Sequence, residues 1–454
     1  MKRNILLLIL LAIVILTVTA IARPNGILAG DETYYHLQIS SSAADKSLTA
    51  IERPLFLSQY DYILKTASVF FEPLRIMKIF GIILGAVCAI LFYFIARKII
   101  EQKKALYASI ILILSPAFLF IFSTNSAYMI PTFLILLGIF LLTNENEYVS
   151  YFSIIPLLGA VINSFFVSVL VLLAYLTYYL VKKDKKYYLI TSGVLVILTS
   201  IFYSREFILN YSVSNLPLLS NLFADFGGLL GVSVFTAIFF IAGIIIFKKR
   251  AYAYPILIFF IIAFLINYRT IAYTNLFVCA FAGVGLDIFI EKKWKLRDLK
   301  QTMNFLMICG ILFSAVSHIN IIKEMNPSQG IIDASVWLNN NAENDTVIFS
   351  SIKNSFVIEN FAQRKVLLDP LFLNTGNFDI LSNDSNDLLY SRDIEKTEKV
   401  LNKYNIGYII VDKDMTNGEI WQSDSQGLLF LLSNQQKFPT VYNQGGVTIF
   451  HYVK

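Results

Sequence analysis

Apolar residues in this chain come in long unbroken runs. They do not follow the two-residue alternation of half-buried strands or the stripes of surface helices. The first run, residues 5–22, holds eighteen uncharged and mostly aliphatic residues behind Lys2 and Arg3. It is long enough to cross a bilayer. No convincing small-x-small cleavage site follows, so it reads as a retained helix rather than a signal peptide. Comparable runs at 79–96, 105–122, 127–142, 149–163, 164–181, 187–203, 229–247, 251–266, 271–290 and 302–321 bring the expectation to about eleven transmembrane helices. From Asn326 the pattern changes. "TVIFSS", "KVLLD" and "GYIIVD" read as buried strands, and "SRDIEKTEKVLNKYN" as an amphipathic helix. "TVYNQGGVTIFHYV" reads as a hairpin around Gly445 and Gly446. The expected fold class is a polytopic α-helical membrane protein with a C-terminal soluble α/β domain. Residues 1–325 would form the membrane domain, with a long first loop at 23–78. Residues 326–454 would form the second domain.

Charge adds a direction. The chain has 454 residues, 56% hydrophobic and 15% charged, with a mean hydropathy of +0.64. A soluble domain carries about 25% charged residues. Eighteen lysines and arginines fall at the ends and loops assigned to one side, from Lys2 and Arg3 to Arg297 and Lys300. The loops between helices on the other side hold eight: Arg23, Lys46, Arg53, Lys65, Arg75, Lys78, Arg205 and Arg269. That asymmetry predicts a cytoplasmic N-terminus, and an odd number of spans places the C-terminal domain outside the cell membrane. The net charge of +6 is explained by these clusters and is no nucleic-acid signal. Cys88, Cys279 and Cys309 all lie inside apolar runs and read as small core residues.

The candidate chemistry gathers in the long first loop, where "GDETYYHLQIS" runs from Gly30 to Ser40. The adjacent acids Asp31 and Glu32 suit either a solvated loop start or a working pair, holding a divalent cation or dividing the tasks of base and ligand. Tyr34 and Tyr35 suit an aromatic belt at the membrane interface. His36 offers a contact for a phosphate or an acceptor. Later in the loop, "LSQYDYILKTASVFF" has mixed faces, as a helix lying at the membrane surface would. Arg269, alone in "LINYRTIAYTN", is either an interfacial snorkel or a clamp for a lipid phosphate. Arg205 and Arg53 are second choices for that clamp. The chain has no Walker loop, no G-x-S-x-G, no metal-type histidine spacing and no cysteine pair. Its predicted spans are nearly free of charge apart from Asp287, which argues against an ion-coupled transporter.

These stretches carry a resemblance. "GDET" behind the first helix, "RPLFLSQYDYILKTASVFFEPLRIMKIFGIILGAVCAILFYFIARKI" and "LSPAFLFIFSTNSAYMIPTFLILLGIFLL" resemble the GT-C superfamily of membrane glycosyltransferases over much of residues 1–290. "DTVIFSSIKNSFVIENFAQRKVLLDP" is similar in layout to the catalytic subunit of oligosaccharyltransferases. Those enzymes carry WWDYG where this chain has "SSIKNSF", and acidic metal ligands where it has "STNS" at Ser123–Ser126.

The resemblance implies transfer of a sugar from a polyprenyl-phosphate donor to an acceptor hydroxyl on a glycan, lipid or protein, with inversion. In that scheme Asp31, with Glu32 as second choice, is the base, and Arg269 meets the carrier phosphate. No cofactor is required, and a divalent cation such as Mg2+ or Mn2+ would be the one addition. Expected partners are the lipid-linked donor, its acceptor and membrane lipids, with no nucleic acid. The competing readings are an oligosaccharyltransferase, a non-catalytic lipid-glycan transporter, and a scaffold whose outer domain binds a partner.

Overall fold

The computed structural model describes residues 2–21, 28–40, 59–162, 167, 171, 222–247, 270–292, 296–370 and 378–454. It divides into two compact units. One holds residues 1–24 and 77–324. The other holds 25–76 and 325–454. Most of the described part of the first loop therefore belongs with the C-terminal segment.

The first unit is helical and apolar. Among the described residues four helices are long and apolar enough to cross a membrane. They are α1 (Lys2–Ile21), α4 (Pro73–Ile99), the helix Ile271–Glu291 and the helix starting at Arg297. The protein is a membrane protein. The expected runs at 164–181, 187–203 and 251–266 lie largely or wholly outside the described residues. The run at 105–122 is not one straight span. It divides into α5 (Gln102–Leu114) and α6 (Pro116–Ser123), bent by 57°. Pro116 has no N–H for the helix ladder and disfavours a helical residue before it. Ser115 takes extended backbone there and caps α6, accepting from the Phe118 N–H at 3.4 Å. Its hydroxyl also accepts from Asn275 Nδ2 at 2.8 Å, so the break is tied to a neighbouring helix. Next come α7 (Met129–Leu142), then α8 (Glu147–Tyr151) and α9 (Ile154–Val161), two short pieces where one span was expected at 149–163.

Close packing in this unit depends on glycine. A Cβ on Gly285 would meet the Phe239 carbonyl oxygen, and one on Gly243 would meet that of Phe281. The helices Val234–Phe247 and Ile271–Glu291 thus approach backbone to backbone, as small residues allow between helices in lipid. Asp287, the lone acid in the predicted spans, is buried and pairs with Lys103 Nζ at 3.0 Å. Lys103 also meets Glu291 at 2.7 Å.

The second unit is α/β. Its sheet runs β2–β1–β3–β5–β4, with β1 (Val347–Phe349), β2 (Lys365–Val366), β3 (Ile406–Asp412), β4 (Thr440–Gln444) and β5 (Val447–His451). Pairings among the first three are parallel, and the last two join antiparallel. The strands and hairpin expected from the sequence are present. Gly445 and Gly446 both have positive φ, 61° and 78°, as a type I′ turn demands. The amphipathic helix before β3 is Ile394–Lys403, and the Asp393 side chain caps it by accepting from the Glu395 and Lys396 N–H groups. Its Val400 and Leu401 join Phe349, Ile409, Trp421 and Phe438 in the core.

Because a backbone carbonyl cannot swing aside, Gly285→Ala is expected to destabilise the chain by about 1–3 kcal/mol. Unfolding in mixed micelles of rising SDS fraction measures this. An unchanged midpoint would contradict the close helix approach.

Candidate functional site

The loop acids sit at the start of a helix. Gly30 has φ 85°, a left-handed turn that glycine adopts at little cost. Its N–H reaches the Met325 carbonyl at 3.4 Å. α2 (Asp31–Ser40) begins at the next residue. The Thr33 hydroxyl donates back to the Ala29 carbonyl at 2.7 Å, and the Tyr34 hydroxyl accepts from the Leu28 N–H at 3.1 Å. The entry to α2 is therefore tied down on both sides of Asp31. The Asp31 side chain itself lies outside the described residues. Glu32 is exposed and, on a helix, projects about 100° away from Asp31. Thus the two acids are not equivalent.

Tyr35 and His36 face inward. Tyr35 packs on Phe356 with ring centroids 5.3 Å apart, and Tyr34 on Phe361 at 5.8 Å. Asn360 Nδ2 donates to the Tyr34 carbonyl at 3.5 Å. These contacts seat α2 against the helix Ser355–Ala362 of the same unit. On the other side is α3 (Gln59–Ala67), which buries Tyr60, Asp61 and Leu64. His36 Nδ1 and Asp61 Oδ1 are 2.6 Å apart. A carboxylate only accepts, so Nδ1–H donates. Asp61 has no solvent exposure and His36 has 3%. The other ring nitrogen, Nε2, is buried without a hydrogen-bond partner among the described residues. The Tyr60 ring stands edge-on to the His36 ring at 5.0 Å. Burial, and then the charge of Asp61, push the Tyr60 hydroxyl far above its ordinary pKa, so it stays protonated.

Sequence reasoning passed over Asp61. The signal was there: Tyr60 and Asp61 precede Leu64 by four and three residues, which puts an acid on the apolar face of α3. The structure brings together Tyr35, His36 and Asp61. Arg53, Arg205 and Arg269 lie outside the described residues. The described residues contain no group of three or more His, Cys, Asp or Glu side chains that could hold a metal ion. At Ser123–Ser126 the turn offers hydroxyls and an amide but no carboxylate, and the Ser123 hydroxyl lies 2.9 Å from that of Thr19. The first unit also holds a polar group that the sequence reading missed. The Ser314 hydroxyl donates to Asp225 at 2.6 Å, and one turn further on His318 is buried with neither ring nitrogen partnered among the described residues.

The segment "SSIKNSF" is spent on structure. Asn354 Nδ2 donates to Asp412 Oδ2 at 2.6 Å, and the hydroxyls of Ser350 and Ser355 donate to the carbonyls of Ile410 and Leu368. Arg364 is buried, and its guanidinium donates to the carbonyls of Asn339, Ala342, Glu343, Ala362 and Gln363. It satisfies the C-terminal ends of two helices, where carbonyls lack helical partners.

With this geometry in view, the chain can be set beside known proteins. No protein-family model matches it, and no curated protein matches it in sequence. Solved structures do. The oligosaccharyltransferase of Archaeoglobus fulgidus in the apo form superposes with a TM-score of 0.61 and 13% identity, over 90% of this chain and 70% of that one. The same organism's AglB, in complex with an inhibitory peptide and a dolichol-phosphate, gives 0.61 at 11% identity, over 100% and 74%. ArnT from Cupriavidus metallidurans bound to undecaprenyl phosphate gives 0.51 at 12% identity, over 99% and 98%. Both neighbours are GT-C glycosyltransferases. The chain shares the GT-C fold. One AglB structure was obtained with zinc and sulfate.

Removing one partner of a buried pair strands the other. Asp61→Ala is expected to cost about 3–5 kcal/mol, whereas replacing His36 and Asp61 together by leucine should cost far less. The same micelle unfolding assay compares them, and equal losses would contradict the pairing.

Proposed function

We propose that the protein transfers a sugar from a polyprenyl-phosphate donor to an acceptor hydroxyl at the extracytoplasmic face of the cell membrane, with inversion. One observation carries this reading. The fold is shared with enzymes whose structures hold dolichol-phosphate and undecaprenyl phosphate, two carriers of the same chemistry. The N-terminus would be cytoplasmic, as the distribution of basic residues favours.

In this reading Asp31 is the general base. Its carboxylate takes the proton of the acceptor hydroxyl, and the oxygen attacks the anomeric carbon. The bond from that carbon to the phosphate oxygen breaks, and the polyprenyl phosphate leaves with the electron pair. Arg269 offsets the charge that grows on the departing phosphate, as a guanidinium's fork of donors suits. Arg205 and Arg53 are the alternatives for that task. Glu32, exposed and turned away, is the lesser acid. The acceptor is a glycan, lipid or protein hydroxyl. Transfer to an asparagine in a peptide is disfavoured, because the polar side chains of Ser350, Asn354 and Ser355 are taken up inside the second unit. Turnover proceeds without an obligatory Mg2+ or Mn2+, since the turn at Ser123–Ser126 supplies no carboxylate to a cation.

Asp31→Asn keeps the shape and removes the base. Turnover of a lipid-linked donor is expected to fall about 10²–10⁴-fold, with little change in unfolding. Glu32→Gln should lose much less. Wild-type turnover in Asp31→Asn would remove Asp31 from the chemistry. A chelator is expected to leave most of the activity in place, and complete loss restored by manganese or magnesium would contradict metal independence.

A further inference from the structure

The buried pair of His36 and Asp61 takes no part in the chemistry just described, yet it sits on the helix that presents the base. We propose that His36 and Asp61 are positioning residues that fix α2 and so place Asp31 for proton transfer. The inference rests on the reading of Asp31 as the base.

α2 has ten residues and α3 has nine. Helices this short are marginal alone and depend on tertiary contacts. α2 has three. Its entry is tied through Gly30 to the Met325 carbonyl. One side leans on the helix Ser355–Ala362 through the rings of Tyr34 and Tyr35. The other side is bound to α3 by the hydrogen bond from His36 to Asp61. These contacts differ in what they specify. Ring packing tolerates a range of tilts and offsets. A hydrogen bond between a planar imidazole and a carboxylate weakens steeply when misaligned. The short bond from His36 to Asp61 therefore constrains the rotation and tilt of α2 more closely than the ring contacts and the 3.5 Å bond from Asn360 to the Tyr34 carbonyl do. His36 lies five residues beyond Asp31, about 7.5 Å along the helix axis. Rotation at that end is passed along the helical hydrogen bonds toward the first residue.

A buried polar pair is a poor source of stability compared with well-packed apolar groups, and geometric specification is its best-attested use. His36 is badly suited to hold the donor phosphate. Its Nδ1–H is given to Asp61, and the adjacent carboxylate would repel a phosphate oxyanion. That moves His36 from a substrate contact to a support for one.

The test is a kinetic cycle on the full chain in nanodiscs, using the undecaprenyl-phosphate-linked sugar that the wild type consumes fastest. The first variant is His36→Leu with Asp61→Leu, which removes both partners of the hydrogen bond. Its kcat is expected to fall about 10–100-fold, as small misplacements of a catalytic group do, with donor KM within about threefold. Asp61→Asn retains an oxygen facing Nδ1–H and is expected to keep kcat within about threefold. On an Asp31→Asn background the leucine pair should add less than about threefold, because groups acting as one unit are non-additive. His36→Gln goes through the same cycle, so the result does not depend on the leucine pair folding. It should show a smaller loss that likewise vanishes without the base. Undiminished kcat in the leucine pair, an equal loss on both backgrounds, or a raised donor KM at unchanged kcat would each overturn the positioning role and leave Asp31 as the base. Wild-type turnover in Asp31→Asn alone would overturn both.

Discussion

Asp61 is a carboxylate with no access to water, and a buried charge persists only where it is paired and hydrogen-bonded. The arrangement of the first loop follows from that requirement. His36 must face α3, which turns α2 so that Tyr34 and Tyr35 meet the rings of Phe361 and Phe356. The same turn leaves Glu32 exposed. Two helices too short to be stable alone become part of an α/β unit whose sheet, from Val347 to His451, lies far along the chain from Asp31–Ala67. The unit is discontinuous because the ring contacts, with the bonds from Asn360 to the Tyr34 carbonyl and from the Gly30 N–H to the Met325 carbonyl, bind the loop to the C-terminal segment.

The first unit solves a different problem. In lipid no water is available for an unpaired backbone group, so the interior is built from helices and each irregularity must be satisfied. The break at Ser115 shows how. Pro116 removes an N–H, and the Ser115 side chain caps the new helix and is itself tied to Asn275. Glycines at 243 and 285 let two helices meet backbone to backbone. Asp287 is buried, and Lys103 supplies its counter-charge.

Much of this was legible in the sequence. Four spans among the described residues followed from apolar run length, the parallel strands from short buried runs, and the hairpin from Gly445–Gly446. The motif after the first helix was also visible, because acids at the end of an apolar run stand out. Other features were not legible, for physical reasons. Hydropathy averages over a window, so it cannot register one proline that bends a span, and 105–122 read as continuous. The helical spacing of Tyr60, Asp61 and Leu64 puts the acid on the apolar face, but nothing local in "QYDYILK" names its partner, His36, twenty-five residues away. Reading that stretch as a membrane-surface helix captured its two faces but not that an acid lay on the inner one. Arg364 was not singled out in the sequence. Its partners, five backbone carbonyls, have no sequence signature.

The central claim is that a GT-C fold with an acid at the mouth of its first helix performs inverting transfer from a lipid carrier. The most direct measurement incubates the purified wild-type chain with a panel of polyprenyl-phosphate sugars and follows release of polyprenyl phosphate and the anomeric configuration of the product. The account predicts that one donor is consumed, with carrier phosphate released in step and the configuration inverted. A product of retained configuration, or no release from any donor in the panel, would contradict it.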